Sequence, residues 1–374
     1  MTSSGTHDAA GTAKAPRRFF HKQLADEVPL SFDTAGRLYE LATALYVVQP
    51  WNFLKEQDIF LLQDVESGEI CYCSIMGALG EIFSLQVYVG AESYRFFRRL
   101  STGRLAAPGD FFASMRAVSV EYVPANERTP PDRELLAAFG YPNKRGQRAP
   151  IFRAIRPGYQ PWYVTEGEGK LLVSCLKAAL AYCTYVLEMG EIDDSQEEDE
   201  FPFLEPEPAD NTGMRFKLHF VKAPEPPLAA PQPTELDENL VGDILHENLP
   251  RTGALEAEHF FTTTPVGERD QRKACVRMAL VSDAKSGLAF APELGGPGDS
   301  TGQLLVRALL GAMRKGRFVP LEVRVGQNES KILLGKLAER LGFDVRVTKS
   351  LPAVNDFKDH LFEMMGIPNR SWPE

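Results

Sequence analysis

The sequence has few of the residues on which metal and redox chemistry depend. It holds five cysteines without a Cys-x-x-Cys pair, and six dispersed histidines without ligand spacing. Since zinc sites need Cys and His ligands at short, regular spacings, we expect no metal centre. No glycine-rich phosphate loop or other cofactor motif is present, so no cofactor is expected. The cysteines lie in apolar stretches, which predicts buried free thiols in a reducing cytoplasm.

Long apolar runs are also missing from the sequence. None approaches the roughly twenty residues that cross a bilayer. Met1–Lys22 lacks the apolar core of a secretory signal. We therefore expect no membrane partner and a cytoplasmic location. Residues 1–22, which are mostly small and polar, are expected to form a disordered tail.

The net charge of −10 comes from one short stretch of the chain. Ten acidic residues and no Lys or Arg lie between residues 191 and 210, and removing them from the 51 acidic residues leaves as many as the 41 basic ones. Such a block repels itself, so residues 191–234, which end in a Pro-rich segment, are expected to be a linker with one strand at 214–221. The folded parts are near neutral, and a nucleic-acid partner is therefore not expected.

This linker would divide the chain into an N-terminal α+β domain, residues 23–190, and a C-terminal mixed-sheet α/β domain, residues 235–374. In the first domain, three apolar runs are joined by turns that contain glycine, which predicts an antiparallel meander. These runs are Ile59–Gln63, Glu69–Met76 and Ile82–Val89. Helices are predicted around the meander, one of them opened by a capping box of Thr165 and Glu168.

The C-terminal stretch Cys275–Met365 alternates strands and helices. A strand, a hairpin turn at Gly287 and a return strand lead into a helix that Gly316 would cap. Two further strands are each followed by a helix, which favours right-handed crossovers and parallel pairing. We therefore expect a mixed sheet in which Pro320–Val325 lies inside, beside Cys275–Ser282. Leu321, Val323 and Val325 should be buried on one face. Glu322 and Arg324 should point to the other face and lie near a strand end, at the rim of the sheet, or paired with each other or with neighbours.

This order of elements resembles the ribonuclease H-like fold of nucleases and integrase-type transposases. In such enzymes, carboxylates hold two divalent metals, and Asp283 matches the position of the first carboxylate. Asp356 and Asp359 on the last helix would supply at best one more ligand, and Gly326 stands where the second carboxylate should be. The resemblance therefore implies a catalytically degenerate fold, with Asp283 as a solvated turn residue. A strand predicted at 258–264 would weaken the match of Asp283 further if it joins this sheet.

A second resemblance covers most of residues 30–366. The sequences Gln49-Pro-Trp51, Ser67-Gly-Glu-Ile-Cys-Tyr72 and Met76-Gly-Ala-Leu-Gly80 are similar to a bacterial family of domains of unknown function. Arg156–Tyr163 and Cys275–Met365 resemble a companion domain, also of unknown function. The resemblance implies a bacterial cytosolic protein without an assigned activity. No catalytic residue is carried over from either family.

Two hypotheses of different kinds follow. The first is a non-enzymatic binding or interaction protein with an unknown protein or small-molecule partner. The candidate interface anchors are aromatic residues next to positions where predicted helices or strands end, namely Trp51, Trp162 and Tyr163. Tryptophans also fill domain cores, so both tryptophans could instead be core residues. The second is a divergent metal-dependent nuclease or hydrolase that would use Asp283, Asp356 and Asp359.

A third hypothesis is that the protein binds a small molecule. The crevice at the carboxyl ends of the parallel strands, near Gly326–Asn328, is where such sheets often bind ligands. Asn328 would also serve there as a helix cap.

Overall fold

The computed structural model describes residues 27–101, 115–141, 144–189, 200–210, 213–222, 231–268 and 271–364. In these ranges the chain is a mixed α+β structure with nine helices and two mixed sheets. It divides into two compact units, and the second includes residues 92–116 and 155–161 from the first half of the chain. The predicted tail and residues 191–199, 211–212 and 223–230 of the predicted linker lie outside the described residues. The predicted domain boundaries stay predictions.

Seven strands form the sheet of the first unit, in the order β5-β4-β3-β2-β1-β6-β7. Their bounds are β1 Phe60–Gln63, β2 Ile70–Met76, β3 Ser84–Val89, β4 Ala117–Val123, β5 Ala149–Ile155, β6 Glu200–Asp210 and β7 Gly213–Lys222. The predicted antiparallel meander is confirmed in β1, β2 and β3. Gly68 has a φ of 71° in the first turn, a conformation that glycine adopts without strain. β1 and β6 pair in parallel, which makes the sheet mixed.

Two long helices, Phe32–Val48 and Glu166–Met189, cover the core side of this sheet. The helices of the first half of the chain are α1 Phe32–Val48, α2 Ala91–Ser101, α3 Pro130–Ala138 and α4 Glu166–Met189, and α2 falls almost wholly in the second unit. The Thr165–Glu168 capping box is confirmed, with Glu168 N donating to Thr165 Oγ1 at 3.3 Å and Thr165 N donating to Glu168 Oε2 at 2.8 Å. A Cβ on Gly169 would lie 2.5 Å from Leu30 Cδ1 and 3.1 Å from Thr34 Cγ2. Glycine at this position therefore lets α1 and α4 approach closely.

Of the described helices, α4 has the length and apolar composition to cross a membrane. Half of that stretch is buried inside the protein, and Leu172, Cys175 and Leu176 are fully buried in the core. Core helices of globular proteins show the same pattern, so α4 is a weak indication of a membrane span. The cytoplasmic location stays a prediction.

The acidic segment is not a linker over its whole length. Residues 200–210 form β6, and the predicted strand at 214–221 lies within β7. The linker prediction is wrong for 200–210 because Leu204 is buried in the core and the acidic side chains have cross-strand partners. Glu205 faces Lys217 and Glu207 faces Arg215 across the antiparallel β6–β7 pair. Such opposite-charge pairs stabilise the pairing of a strand whose acidic residues would otherwise repel one another.

Five strands form the sheet of the second unit, in the order β10-β9-β8-β11-β12. Their bounds are β8 Ala254–Val266, β9 Ala274–Asp283, β10 Glu293–Gly295, β11 Glu322–Val325 and β12 Asp344–Val347. β9 pairs antiparallel with both β8 and β10, whereas β11 pairs in parallel with β8 and β12. The interior position of β11 is confirmed. Its predicted neighbour is wrong, because β8 lies between β9 and β11.

The position of β8 changes the interpretation of Asp283. β8 is the first strand of this sheet along the chain and β11 is the fourth, and the two are direct neighbours. The strand predicted at 258–264 thus belongs to this sheet, and Asp283 ends the second strand, so its match to the first carboxylate of a ribonuclease H-like enzyme is weakened. The ribonuclease H-like fold itself stays a prediction.

Helices cover both faces of this second sheet. Their bounds are α5 Glu238–His246, α6 Thr301–Gly316, α7 Asn328–Leu333, α8 Gly335–Leu341 and α9 Pro352–Met364. We call one side the apolar face: there α5, α6 and α8 pack on Leu255, Ala279, Val281, Val323 and Val325. We call the other side the α9 face: there α9 packs on Phe260, Met278 and Leu280.

The predicted burial along β11 is confirmed for two of the three apolar residues. Val323 and Val325 are fully buried, but Leu321 is 55 % exposed because it precedes the strand. Glu322 and Arg324 lie on the opposite face and pair with each other, with Arg324 Nε 2.7 Å from Glu322 Oε1, as predicted.

A segment from the middle of the chain completes the second unit. Within Ile155–Pro161, Gly158 accepts a hydrogen bond from Cys275 N at 2.8 Å, and Gln160 N donates to Lys273 O at 2.9 Å. Gly158 has a φ of 81°, and a Cβ there would lie 2.6 Å from Pro297 Cβ. The segment thus pairs with the beginning of β9 in a conformation that needs glycine.

Candidate functional site

Asp283 holds the turn that follows β9. Its Oδ1 accepts hydrogen bonds from Lys285 N at 3.1 Å, Ser286 N at 2.7 Å and Ser286 Oγ at 2.8 Å. Burial acts to raise the pKa of the Asp283 carboxyl, but the hydrogen bonds from Ser286 and Lys285 outweigh it and hold the pKa below its ordinary value. The interpretation of Asp283 as a turn residue therefore accounts for its local geometry.

The same turn forms one wall of a surface cleft of about 430 Å³. The cleft is lined by Asp283, Ser286, Leu288, Ala289, Phe290, Lys315, Gly316 and Phe318. Its volume lies in the range of about 300–1,000 Å³ that is usual for small-molecule sites. We call it the hairpin cleft. It combines an apolar wall with one acidic and one basic side chain.

The end of α6 shapes the other side of the hairpin cleft. Gly316 was predicted as the helix cap, but the left-handed residue is Arg317, with a φ of 58° and its N–H bonded to Met313 O. Gly316 is instead the last helical residue. A Cβ on it would lie 2.5 Å from Phe318 Cε1 and 3.4 Å from Phe290 Cζ. The missing Cβ therefore lets the Phe318 ring fold back against the helix.

The structure does not assemble the predicted metal ligands into one cluster. Asp356 and Asp359 are exposed on α9. That helix begins near Glu256 on β8 and reaches Phe260 with its last turns, so it runs away from Asp283, which lies opposite Leu255. Among the residues that the structure describes, no group of three or more His, Cys, Asp or Glu side chains is arranged to hold a metal ion.

A buried carboxylate that the sequence analysis missed lies on the α9 face. Glu256 on β8 is 1 % exposed, and its Oε2 accepts a hydrogen bond from Val354 N in the first turn of α9 at 3.1 Å. Its cross-strand neighbours are Ser282 on β9 and Arg324 on β11. The alternation of Leu255, Glu256, Ala257 and Glu258 was the available signal, but the predicted strand began only at residue 258. Glu256 anchors the N-terminus of α9 to the sheet.

The sequence analysis also missed two polar side chains further along the sheet, His259 on β8 and Arg277 on β9. Arg277 donates from Nη1 to Asp299 O at 2.8 Å, and its guanidinium lies 4.6 Å from the centre of the Phe261 ring. Burial, followed by the charges of Arg277 and Lys358, lowers the pKa of His259 to about 4. Arg277 Nε and His259 Nδ1 are buried and make no hydrogen bond with a described residue.

The candidate aromatic anchors lie in different surroundings. Trp51 is 8 % exposed and packs in the core of the first unit, with ring centres 4.8 Å from Phe83 and 5.6 Å from Tyr46 and Tyr122. A Cβ on Gly77 would lie 2.9 Å from Trp51 Cβ, so this turn is fitted to the indole. Trp51 is therefore a core residue and offers little surface to a partner.

Trp162 and Tyr163 are half-buried and lie edge to face, 5.2 Å apart. The Tyr163 hydroxyl is 2.8 Å from Thr129 Oγ1, and the Arg153 guanidinium lies 4.7 Å from the Tyr163 ring centre. Arg153 also pairs with Asp132 at 2.6 Å. This network fixes Tyr163 rigidly, and an interaction role for Trp162 and Tyr163 stays a prediction.

The cysteines are buried and free, as predicted. Cys71 and Cys73 on β2 meet Cys175 on α4 in the core, where a hydrogen bond with Cys175, together with burial, raises the pKa of Cys71, and burial raises that of Cys73. These thiols stay protonated, so they are poor nucleophiles and poor metal ligands.

Comparison with protein families locates two domains of unknown function in the chain. Residues 36–203 match the family model of the domain of unknown function DUF7309, and residues 245–362 match that of DUF6930. No curated protein is significantly similar to the chain. The predicted uncharacterised domain with a C-terminal companion is therefore confirmed. Residues 156–163, which we related to the companion, fall within the DUF7309 match.

Proposed function

We propose that the protein binds a ligand or partner and does not catalyse a reaction. The observation that carries the proposal is the use of the carboxylates in the second unit. Asp283 Oδ1 accepts three hydrogen bonds from its own turn, and Glu256 accepts one from the first turn of α9. Both acids are thereby committed to the fold.

Two other carboxylates on the α9 face, Glu258 and Glu322, have basic partners. Glu258 Oε2 lies 3.0 Å from Lys358 Nζ, with both side chains largely buried, and Glu322 pairs with Arg324. A two-metal nuclease needs several carboxylates that converge on one point and are free to bind cations. The observed pairing supports binding over metal-dependent hydrolysis.

The hairpin cleft supports the binding half of the proposal. It is a concave surface with an apolar wall and a few polar groups, the usual composition of a ligand site. The half-buried pair of Trp162 and Tyr163 remains a candidate contact for a protein partner.

Thermal melting of the full chain with and without millimolar Mn²⁺ or Mg²⁺ tests this proposal against the nuclease alternative. A metal that binds the native state raises Tm by mass action. We expect the same Tm with and without metal, and no cleavage of single- or double-stranded DNA or RNA. A metal-dependent rise in Tm that disappears in the triple variant Asp283→Asn, Asp356→Asn, Asp359→Asn would contradict the proposal and favour the nuclease.

A further inference from the structure

The hairpin cleft has an apolar wall on one side. Phe290 is 8 % exposed and therefore mostly fixed by packing, whereas Leu288 is 63 % exposed. Phe318 is half-buried and is held in place by its N–H bond to Met313 O and by its close approach to Gly316. An aromatic or branched group lying on this wall would remove Leu288 and the Phe318 ring from water.

The two charged side chains of the hairpin cleft, Asp283 and Lys315, differ in their hydrogen-bond partners. The Asp283 carboxylate accepts three hydrogen bonds from its own turn, and these stabilise its charge. Lys315 is exposed and makes no hydrogen bond or ion pair with a described residue. Lys315 lies in the last turn of α6, where the helix dipole stabilises its positive charge. Its ammonium group can still bind an anion. Asp283 keeps its negative charge and already has hydrogen-bond donors, so Lys315 is the charged group of the cleft that remains available to a ligand.

We propose that the hairpin cleft binds a small carboxylic acid with an aromatic or branched apolar body. The carboxylate would pair with Lys315 Nζ, and the apolar body would lie on Leu288, Phe290 and Phe318. The volume of about 430 Å³ accommodates a molecule with a single ring. This inference rests on the proposed binding function, because it names the ligand class for the same cleft.

Titration of the full chain with phenylacetate, followed by saturation-transfer NMR and calorimetry, tests the inference. Phenylacetamide has the same shape without the charge, and acetate has the charge without the ring. We expect phenylacetate to bind with a Kd in the millimolar range or tighter, and both other compounds to bind at least about fivefold more weakly. A charge-assisted hydrogen bond to the exposed Lys315 accounts for the weaker binding of phenylacetamide, and the lost burial of the ring accounts for that of acetate.

Variants of the cleft locate the binding. Lys315→Gln should weaken phenylacetate binding roughly three- to tenfold and leave phenylacetamide unchanged. Gly316→Ala should weaken both ring compounds, because the added Cβ displaces the Phe318 ring. Gly311→Ala is the matched control on the same helix, where a Cβ meets no atom within 4 Å, and should bind phenylacetate like the wild type.

Equal binding of phenylacetate and phenylacetamide would overturn the ligand class. Unchanged binding in both Lys315→Gln and Gly316→Ala, or no phenylacetate binding at about 10 mM, would overturn the site. Neither result bears on catalysis. A metal-dependent rise in Tm with nuclease activity would instead contradict the proposed function, so the two failures are distinguishable.

Discussion

The two faces of the second sheet are built from the same strands and differ in chemistry. The apolar face packs Leu255, Val281, Val323 and Val325 against three helices and contains a continuous hydrophobic core. The α9 face places Glu256 among a smaller apolar cluster under one helix. On that face Glu256 accepts a hydrogen bond from Val354 N, Glu258 pairs with Lys358, and Glu322 pairs with Arg324. Changes on the two faces should therefore differ in size and in kind.

The largest effect is expected on the apolar face. Leu309 on α6 is fully buried, and Leu309→Ala should lower the free energy of unfolding by about 2–5 kcal/mol, because it removes packing and leaves a cavity. Urea denaturation followed by circular dichroism measures this loss. Leu245→Ala on α5, where the side chain is 45 % exposed, is the control and should cost less than about 1 kcal/mol. Similar losses in both variants would mean that Leu309 does not lie in a close-packed core.

On the α9 face, the expected effect depends on hydrogen bonding. Glu256→Ala should lower the free energy of unfolding by about 1–3 kcal/mol, because Val354 N–H loses its acceptor in a buried position. Glu256→Gln keeps an acceptor oxygen and should cost less. Hydrogen exchange of the Val354 amide should accelerate in the alanine variant and not in the glutamine variant. A glutamine variant as unstable as the alanine variant would show that charge, rather than the hydrogen bond, is what matters at this position.

His259 should make the second unit sensitive to acid. Its pKa falls to about 4, because of burial and then the charges of Arg277 and Lys358. Since its ordinary value is about 6.5, the unfolded chain binds the proton first. Stability should therefore decline as pH falls from about 6.5 to about 4, by at most about 1.4 kcal/mol per pH unit. His259→Gln should flatten this part of the pH profile, measured by urea denaturation. A profile unaffected by His259→Gln would contradict the burial of this imidazole.

The smallest effects are expected at Asp283. Asp283→Asn keeps the acceptor Oδ1 of the turn and should change the free energy of unfolding by less than about 1 kcal/mol. Asp283→Ala removes the acceptor of three hydrogen bonds and should cost roughly 1–2 kcal/mol, similar to the loss of a helix cap. Thermal denaturation of the two variants separates these outcomes. Loss of a measurable activity in a folded Asp283→Asn variant would give Asp283 a catalytic role instead.

Local patterns predicted the parts of the fold that depend on neighbours in sequence. The meander followed from alternating apolar residues and glycine turns, and the start of α4 followed from the Thr165–Glu168 capping box. Burial of Val323 and Val325 followed from the two-residue period of a strand. Leu321 broke this pattern because parity predicts a face only within the strand itself.

The parts that failed depend on pairing between distant segments. The position of β8 between β9 and β11 joins residues about 70 apart, as Val323 opposite Leu255 shows, and no short motif encodes it. The charge of residues 200–210 predicted a linker because their basic partners Lys217 and Arg215 lie on β7 and face them only in the folded sheet. The hairpin cleft was not predicted because Phe290, Lys315 and Phe318 meet Asp283 only in the folded chain.

The segment Ile155–Pro161 has a consequence for expressing the second unit alone. A fragment that begins at residue 235, where the sequence places the domain boundary, would lack the residues that accept the Cys275 N–H and donate to Lys273 O. The beginning of β9 would then be an open strand edge, free to pair with the same edge of another molecule. In the full chain, residues 155–161 are synthesised more than a hundred residues before β9. They therefore remain unpaired until β9 has also left the ribosome. The second unit therefore finishes folding only when both ends of this pairing have been made.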